Sequence, residues 1–146
     1  MSTTTAFKTA LLTLYFNNTD HANIGDAAGL QNSAAAGSFY ISLHTADPGA
    51  GGSQTTSESA LGGYARVAVA RSGAGWTIAG ANVSNAAAVT FPAVSSGSET
   101  ITYFGIGSDA SGAGNLFFRG LLSVARVLDT GETASFAIGE LDVDMT

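Results

Sequence analysis

Few residues in this chain are equipped for chemistry. Two histidines, His21 and His44, eleven acidic side chains and some closely spaced glycines are what a reaction would have to be built from. The stretch ISLHTADPGAGG, residues 41–52, sets His44 three positions ahead of Asp47, the nearest the sequence comes to a base beside a carboxylate. A zinc or iron centre would have to combine His44 with His21 and remote carboxylates, and no HxH or HExxH spacing brings them together. Asp142 and Asp144 share one face of a terminal alternating stretch, where a carboxylate-pair hydrolase could be assembled. With Glu140 they also form a candidate for calcium held between chains, although no DxDxDG loop is present. The plainer role for two acids at i and i+2 is solubility, or protection of a strand edge. No serine sits in a GxSxG elbow. Gly73-Ala74-Gly75 and Gly105-Ile106-Gly107 lack the third glycine and the following helix of a dinucleotide site, so they read as turns or close strand contacts. The economical reading of His44 is a histidine on the polar face of a strand, at its end, running into an Asp-Pro-Gly turn. The sequence therefore predicts no catalytic residue, no cofactor and no resident metal, and the chain is not expected to be an enzyme.

The elements that must carry these residues are mostly strands. Phe7, Ala10, Leu11 and Leu14 fall at i, i+3, i+4 and i+7 and predict a helix over about residues 5–16, stopped by Asn17-Asn18-Thr19-Asp20. Leu12, Tyr15 and Phe16 lie off that stripe, which allows cover on more than one side. Residues 21–37 carry no clear period and read as an irregular connector. The period then becomes two: Phe39, Ile41 and Leu43 alternate with Tyr40, Ser42 and His44, a half-buried strand ended by Asp47-Pro48-Gly49. Residues 50–63, AGGSQTTSESALGG, read as a mobile polar loop. Strand-like stretches follow at residues 64–70, 76–78, 83–91, 100–106, 115–122, 124–128, 133–138 and 141–145, separated by glycine and serine clusters. In the first of these, Ala65, Val67 and Val69 share one face, with Tyr64 and Arg66 on the other. SGAG occurs twice, at 72–75 and 111–114, as repeated turn chemistry. The rhythm predicts a mainly β fold: an antiparallel β-sandwich or jelly roll of about eight strands with a short N-terminal α-helix. One domain over residues 1–146 is expected, with 1–37 supplying helix and connector and 38–146 the sandwich.

Composition narrows the partners. The net charge is -6 and charged residues make up 11% of the chain, well below ordinary usage. A surface so poor in charge is coated with Ser, Thr, Asn, Gly and Ala, which suits a subunit packed into an assembly better than a free enzyme. The five cations, Lys8, Arg66, Arg71, Arg119 and Arg126, are scattered, and nucleic acid would need a basic stripe. Cysteine is absent, which removes disulfides and thiolate chemistry. The longest apolar run, ALLTLYF at 10–16, is too short to span a bilayer and has no basic n-region, so neither membrane insertion nor a signal peptide is expected and synthesis is placed in a cytoplasm. Trp76, Tyr64, Tyr103 and Phe104 offer the makings of a sugar platform, against core or subunit packing as the simpler role, which Phe104, Phe91 and Phe136 favour. Phe117 and Phe118 must point to opposite faces of one strand, so one of them needs cover beyond the core.

The segments SFYISLHTADPG, GGYARVAVARSGAGWTI, VSNAAAVTFPA, ITYFGIGSDASGAGNLFFRG and SFAIGELDV, in that order, resemble a family of small tailed-bacteriophage and prophage virion proteins, often labelled tail fibre protein. The likeness runs from Phe39 nearly to the end, and the N-terminal helix is similar too. It implies a virion component made in the bacterial host cytoplasm, and it carries no catalytic residues with it. Two virion roles follow. The favoured one is a capsid decoration or cement protein, resembling small jelly-roll proteins on phage heads, with the major capsid protein as partner. The alternative is a tail-fibre or baseplate-associated adaptor with tail proteins as partners and a receptor to touch. A carbohydrate-binding or hydrolytic sandwich is the remote third. A homo-oligomer is expected. A cement protein binds the assembled lattice and not its free subunits, which shifts the equilibrium toward the intact particle. The candidate contact residues are Tyr64, Arg66, Arg71, Phe117, Phe118 and Arg119, arginine being favoured for its forked donors, and the 50–63 loop is expected to order on binding. Replacing Arg66 or Arg119 is expected to release the protein from particles without unfolding it.

Overall fold

The computed structural model describes residues 2–22, 24–25 and 28–145, so residues 23, 26 and 27 of the expected connector lie outside the described residues. In chain order the elements are α1 (Thr5–Asn17), β1 (Ser38–His44), β2 (Val67–Ala70), β3 (Trp76–Ala79), β4 (Asn82–Asn85), β5 (Val89–Thr90), β6 (Ser98–Gly107), β7 (Leu116–Asp129), β8 (Ser135–Phe136) and β9 (Asp142–Asp144). The mainly β class, the antiparallel sheets and the single N-terminal helix are those the sequence leads one to expect. The chain divides into two compact units, one made of residues 1–38, 70–88 and 136–146, the other of residues 39–69 and 89–135.

In the first unit, α1 starts where Thr4 turns its hydroxyl back to accept from the Phe7 amide at 3.3 Å. It stops where Asn18 takes a left-handed conformation, one of the few that asparagine tolerates well. The buried face carries Leu12 and Phe16, while Phe7, the first residue of the expected stripe, is exposed. The helix is apolar around much of its circumference, so period alone could not select the face. Trp76 does so, meeting the Phe16 ring edge-on at 4.8 Å. Strands β3, β4 and β9 form an antiparallel sheet in the order β3-β4-β9, with Trp76 opposite Asn85 and Val83 opposite Val143. Its core is Leu12, Phe16, Trp76, Val83 and Leu141. Asn85 is buried with them, and its amide is fully used: Nδ2 donates to the Ala87 and Ala137 carbonyls at 2.7 and 2.8 Å, and Oδ1 accepts from the Leu141 amide at 2.9 Å.

In the second unit, a four-stranded sheet runs β2-β1-β6-β7, with the β5–β8 ladder separate from it. Phe39, Ile41 and Leu43 of β1 and Phe104 and Ile106 of β6 supply one buried face, with Ile41 opposite Ile106 and Leu43 opposite Phe104. The other face of β1 is buried as well, because residues 53–59 lie across it. Gln54 is fully buried, accepting from the Asp109 amide at 2.9 Å and donating to its carbonyl at 3.2 Å. The Ser59 amide donates to the Leu43 carbonyl at 2.9 Å, and the Thr45 amide donates to Ser57 at 2.8 Å. The segment expected as a mobile polar loop is thus a tethered roof, and β1 is buried on both faces from Ile41 to His44 rather than half-buried. Glycines make room for it. A Cβ on Gly105 would stand 2.6 Å from Ser42 Oγ and 2.7 Å from His44 Nε2, and one on Gly107 would collide with the Gln54 side chain.

The stretch expected at 133–138 is a strand only over Ser135–Phe136, and three other boundaries differ from expectation. Strand β2 begins at Val67, because Tyr64 and Arg66 are taken up by a polar cluster described below. The 83–91 stretch divides into β4 and β5. The two stretches expected at 115–128 are one strand of 14 residues, β7, interrupted only in its pairing. Ile101 faces Arg126 and Tyr103 faces Leu121, so four residues, Leu122 to Ala125, oppose the single Thr102 in a wide bulge.

Candidate functional site

His44 ends β1 as expected, but in the interior and not on a polar face. Its Nδ1–H donates to the Thr56 carbonyl at 2.9 Å, which leaves Nε2 to accept from the Ser42 hydroxyl at 2.8 Å. Burial lowers its pKa, against the opposing pull of the Thr56 hydrogen bond and the Glu58 charge. Both ring nitrogens are occupied by the fold and Asp47 is not a partner. Asp47 instead accepts from the Gly49 amide at 2.8 Å, shaping its turn, and pairs with Arg119. The histidine is a strut between the sheet and its roof.

Tyr64 and Arg66 converge on Glu58, whose place in the roof lies beside His44 through an isolated bridge. Arg66 grips the carboxylate with both prongs, Nε to Oε1 at 2.6 Å and Nη2 to Oε2 at 2.7 Å. The same guanidinium donates to the Asp109 carbonyl at 2.8 Å and the Gly112 carbonyl at 2.7 Å. Tyr64 Oη donates to Glu58 Oε1 at 2.9 Å and accepts from the Leu43 amide at 3.0 Å, and its ring stacks on Phe91. Burial pushes the Tyr64 pKa up, and the Glu58 hydrogen bond raises that of Arg66. With the Arg66 side chain only 3% exposed, the expectation that its replacement would spare the fold is corrected: it fastens the roof and the 109–112 turn to the sheet. Arg71 is likewise committed. Nε donates to the Tyr15 carbonyl at 2.6 Å, Nη2 to Leu14 at 3.1 Å and Nη1 to Ala36 at 3.0 Å, closing the C-terminal end of α1 where carbonyls lack helical partners.

The proposed sugar platform is not assembled. Trp76 is fully buried in the first unit, Phe104 is buried in the second, and Tyr64 belongs to the Glu58 cluster. Asp142 accepts from the Asn82 side chain across the β4–β9 pair. Among the described residues no three acidic or histidine side chains gather as a metal site.

What remains outward-facing of the candidate set lies on β7. Phe117 meets the Phe39 ring edge-on at 5.8 Å and is still 39% exposed, so the ring that needed outside cover is this one, while Phe118 sits half-buried opposite Ile106. Arg119 pairs with Asp47 through Nη1 at the surface. Residues that the sequence did not single out complete the strip: Leu121 is 66% exposed, Val124 78% and Val127 52%. The signal for them was present in the apolar-rich stretch GLLSVARVL, which a gap placed at Ser123 concealed. Strand β7 is at the sheet edge, and this apolar edge is the candidate functional surface.

Over residues 4–144 the chain matches the family model described as podophage GP4 fiber I protein gp80. No curated protein matches it. Among the described residues no helix is long and apolar enough to cross a membrane.

Proposed function

Because the chain belongs to the podophage GP4 fiber I protein family and is thereby a phage virion component, we propose that it is a non-enzymatic subunit of the tail fibre apparatus, associating with tail proteins and with further copies of itself. The family match along nearly the whole chain carries this reading. Two structural features support it. Four groups capable of proton transfer or anion binding, His44, Glu58, Tyr64 and Arg66, are spent on internal bonds that hold a roof on a sheet. Four exposed apolar side chains, Phe117, Leu121, Val124 and Val127, lie on one edge strand, as befits a protein that works through contact with others.

Between the two virion roles weighed from the sequence, the fibre role is preferred because the family description names a fibre. Antibody-gold labelling of purified virions tests this. Label at the tail or collar is the expected outcome. Label distributed over the head overturns it and restores a decoration role.

A further inference from the structure

We propose that the roof over β1, residues 53–59, is a proton-released strap: it swings off as a unit while the sheet stays folded, and a proton on His44 beneath it favours the open form. The first observation is what holds the roof. Its sequence is SQTTSES, with nothing more apolar than the threonine methyls, yet Gln54 and Ser59 are buried. Every tether is polar. The Gln54 amide donates to the Ala113 carbonyl at 2.8 Å and its side chain bonds Asp109, Thr56 holds His44, and Glu58 holds Arg66 and Tyr64. The Ser59 hydroxyl donates to Glu99 at 2.8 Å. Water can replace each of these bonds when the roof lifts, and no large apolar side chain of the roof is exposed by its leaving. A segment held without apolar contacts opens more readily than the core under it.

The second observation is where strain and freedom lie. Ser57 sits at φ 54°, a left-handed conformation unfavourable for serine, and its carbonyl is kept there by the Thr45 amide at 2.8 Å and the Thr45 hydroxyl at 3.2 Å. Ahead of the roof, Gly51 has open space around it. Behind it, Leu61 is buried and Gly62 is bonded to Ser95 and Ser96, which fixes where the moving part ends.

The third observation is the group underneath. His44 is fully buried, its Nδ1–H spent on Thr56 and its Nε2 accepting from Ser42. A proton added to Nε2 meets a hydroxyl that was donating to it, and sets a cation where water does not reach. The charged and titratable groups around the ring are Glu58 of the roof, Arg66 and Tyr64 on that carboxylate, and Tyr103 opposite it in the β6 register. Glu58 attracts the proton and Arg66 repels it, so burial is the largest influence and lowers the His44 pKa while the roof is closed. In the open form the imidazole is in water and binds a proton with its ordinary affinity. Each pH unit below about 6.5 therefore multiplies the open population by up to about tenfold, until the closed-state pKa is reached.

Amide hydrogen exchange on the full chain tests this, with rates divided by their intrinsic values at each pH. The Thr45 and Ser59 amides, which bond across the roof boundary, are the reporters, and amides of the central strand β6 are the reference. The opening constant of the reporters is expected to be level above about pH 6.5 and to climb below it by up to about tenfold per unit, well ahead of the reference. His44→Gln is expected to level the profile. Reporters that exchange in step with β6 at every pH overturn the proposal without any variant, because the roof then leaves only when the sheet unfolds. A climb that persists in His44→Gln overturns it too, since the proton then acts elsewhere. Neither result bears on the fibre placement.

Discussion

Replacing Arg66 by methionine keeps most of the aliphatic stem and removes the guanidinium, so the change isolates the polar cluster. Glu58 loses two charged hydrogen bonds, at 2.6 and 2.7 Å, and the Asp109 and Gly112 carbonyls lose one each. The carboxylate stays behind only 14% exposed, with the Tyr64 hydroxyl and little else to replace the cation. Removing one partner of a buried pair costs about 3–5 kcal/mol because the other is left as an uncompensated charge. A domain is stable by only about 5–15 kcal/mol in total, so Arg66→Met consumes a large share of the margin. At roughly 3–4 °C per kcal/mol for a chain near this size, the melting temperature falls by about 10–20 °C. Guanidinium unfolding of the single variant and of the pair Glu58→Gln, Arg66→Met is the assay. The double variant recovers part of the loss, since the stranded charge is gone. Arg119→Ala is the internal comparison: its pair with Asp47 is exposed on both sides and is worth about 0–1 kcal/mol. An Arg66→Met loss of about 1 kcal/mol or less would refute the reasoning, for the clamp would then be an ordinary surface ion pair.

Three further outcomes follow from buried polar groups. His44 has a folded pKa below its unfolded value, so the folded state binds the proton less readily. Stability is complete above the ordinary histidine range and declines as pH falls from there through the folded pKa; in melts across that window His44→Gln should flatten the slope, and an unchanged slope counts against the strut. Asn85→Ala strands two carbonyls and the Leu141 amide in the core and is expected to cost about 2–4 kcal/mol in denaturant unfolding, at roughly 1–3 per orphaned group with partial relaxation. Gly105→Ala forces a methyl against Ser42 and His44 and should destabilise by about 1–3 kcal/mol. A neutral result there would mean that the roof gives way freely.

The sequence was informative where a residue's surroundings are set by its near neighbours. The apolar stripe and Asn17-Asn18 place the ends of α1 within a residue, and the alternation after Phe39 finds β1. It was uninformative where a distant segment decides. Nothing within residues 38–44 says that Gln54 and Thr56 will cover the second face of β1, so His44 reads as polar and exposed. Arg66 looks like an interface arginine because Glu58 is eight residues away across a turn-rich stretch whose path a period cannot trace. The strip on β7 escaped for the opposite reason: Ser123 resembles a break, yet a bulge accommodates it without ending the strand. The family resemblance was stronger than any of these readings about the setting of the protein, and silent about which residues touch a partner.

The order in which the first unit's pieces leave the ribosome has its own consequence. Its helix is made first and its last strand, β9, nearly last, yet β9 pairs with β4 and Leu141 lies beneath the same core as Leu12 and Phe16. A nascent chain therefore presents an apolar helix for most of its synthesis, with the strand that completes its shelter still untranslated. The whole of the second unit is emitted in the meantime. Vectorial synthesis favours units whose parts emerge together, and the parts of this one emerge far apart. Expression of fragments ending before residue 141 would accordingly yield insoluble material from the amino-terminal side, however well residues 39–135 had folded.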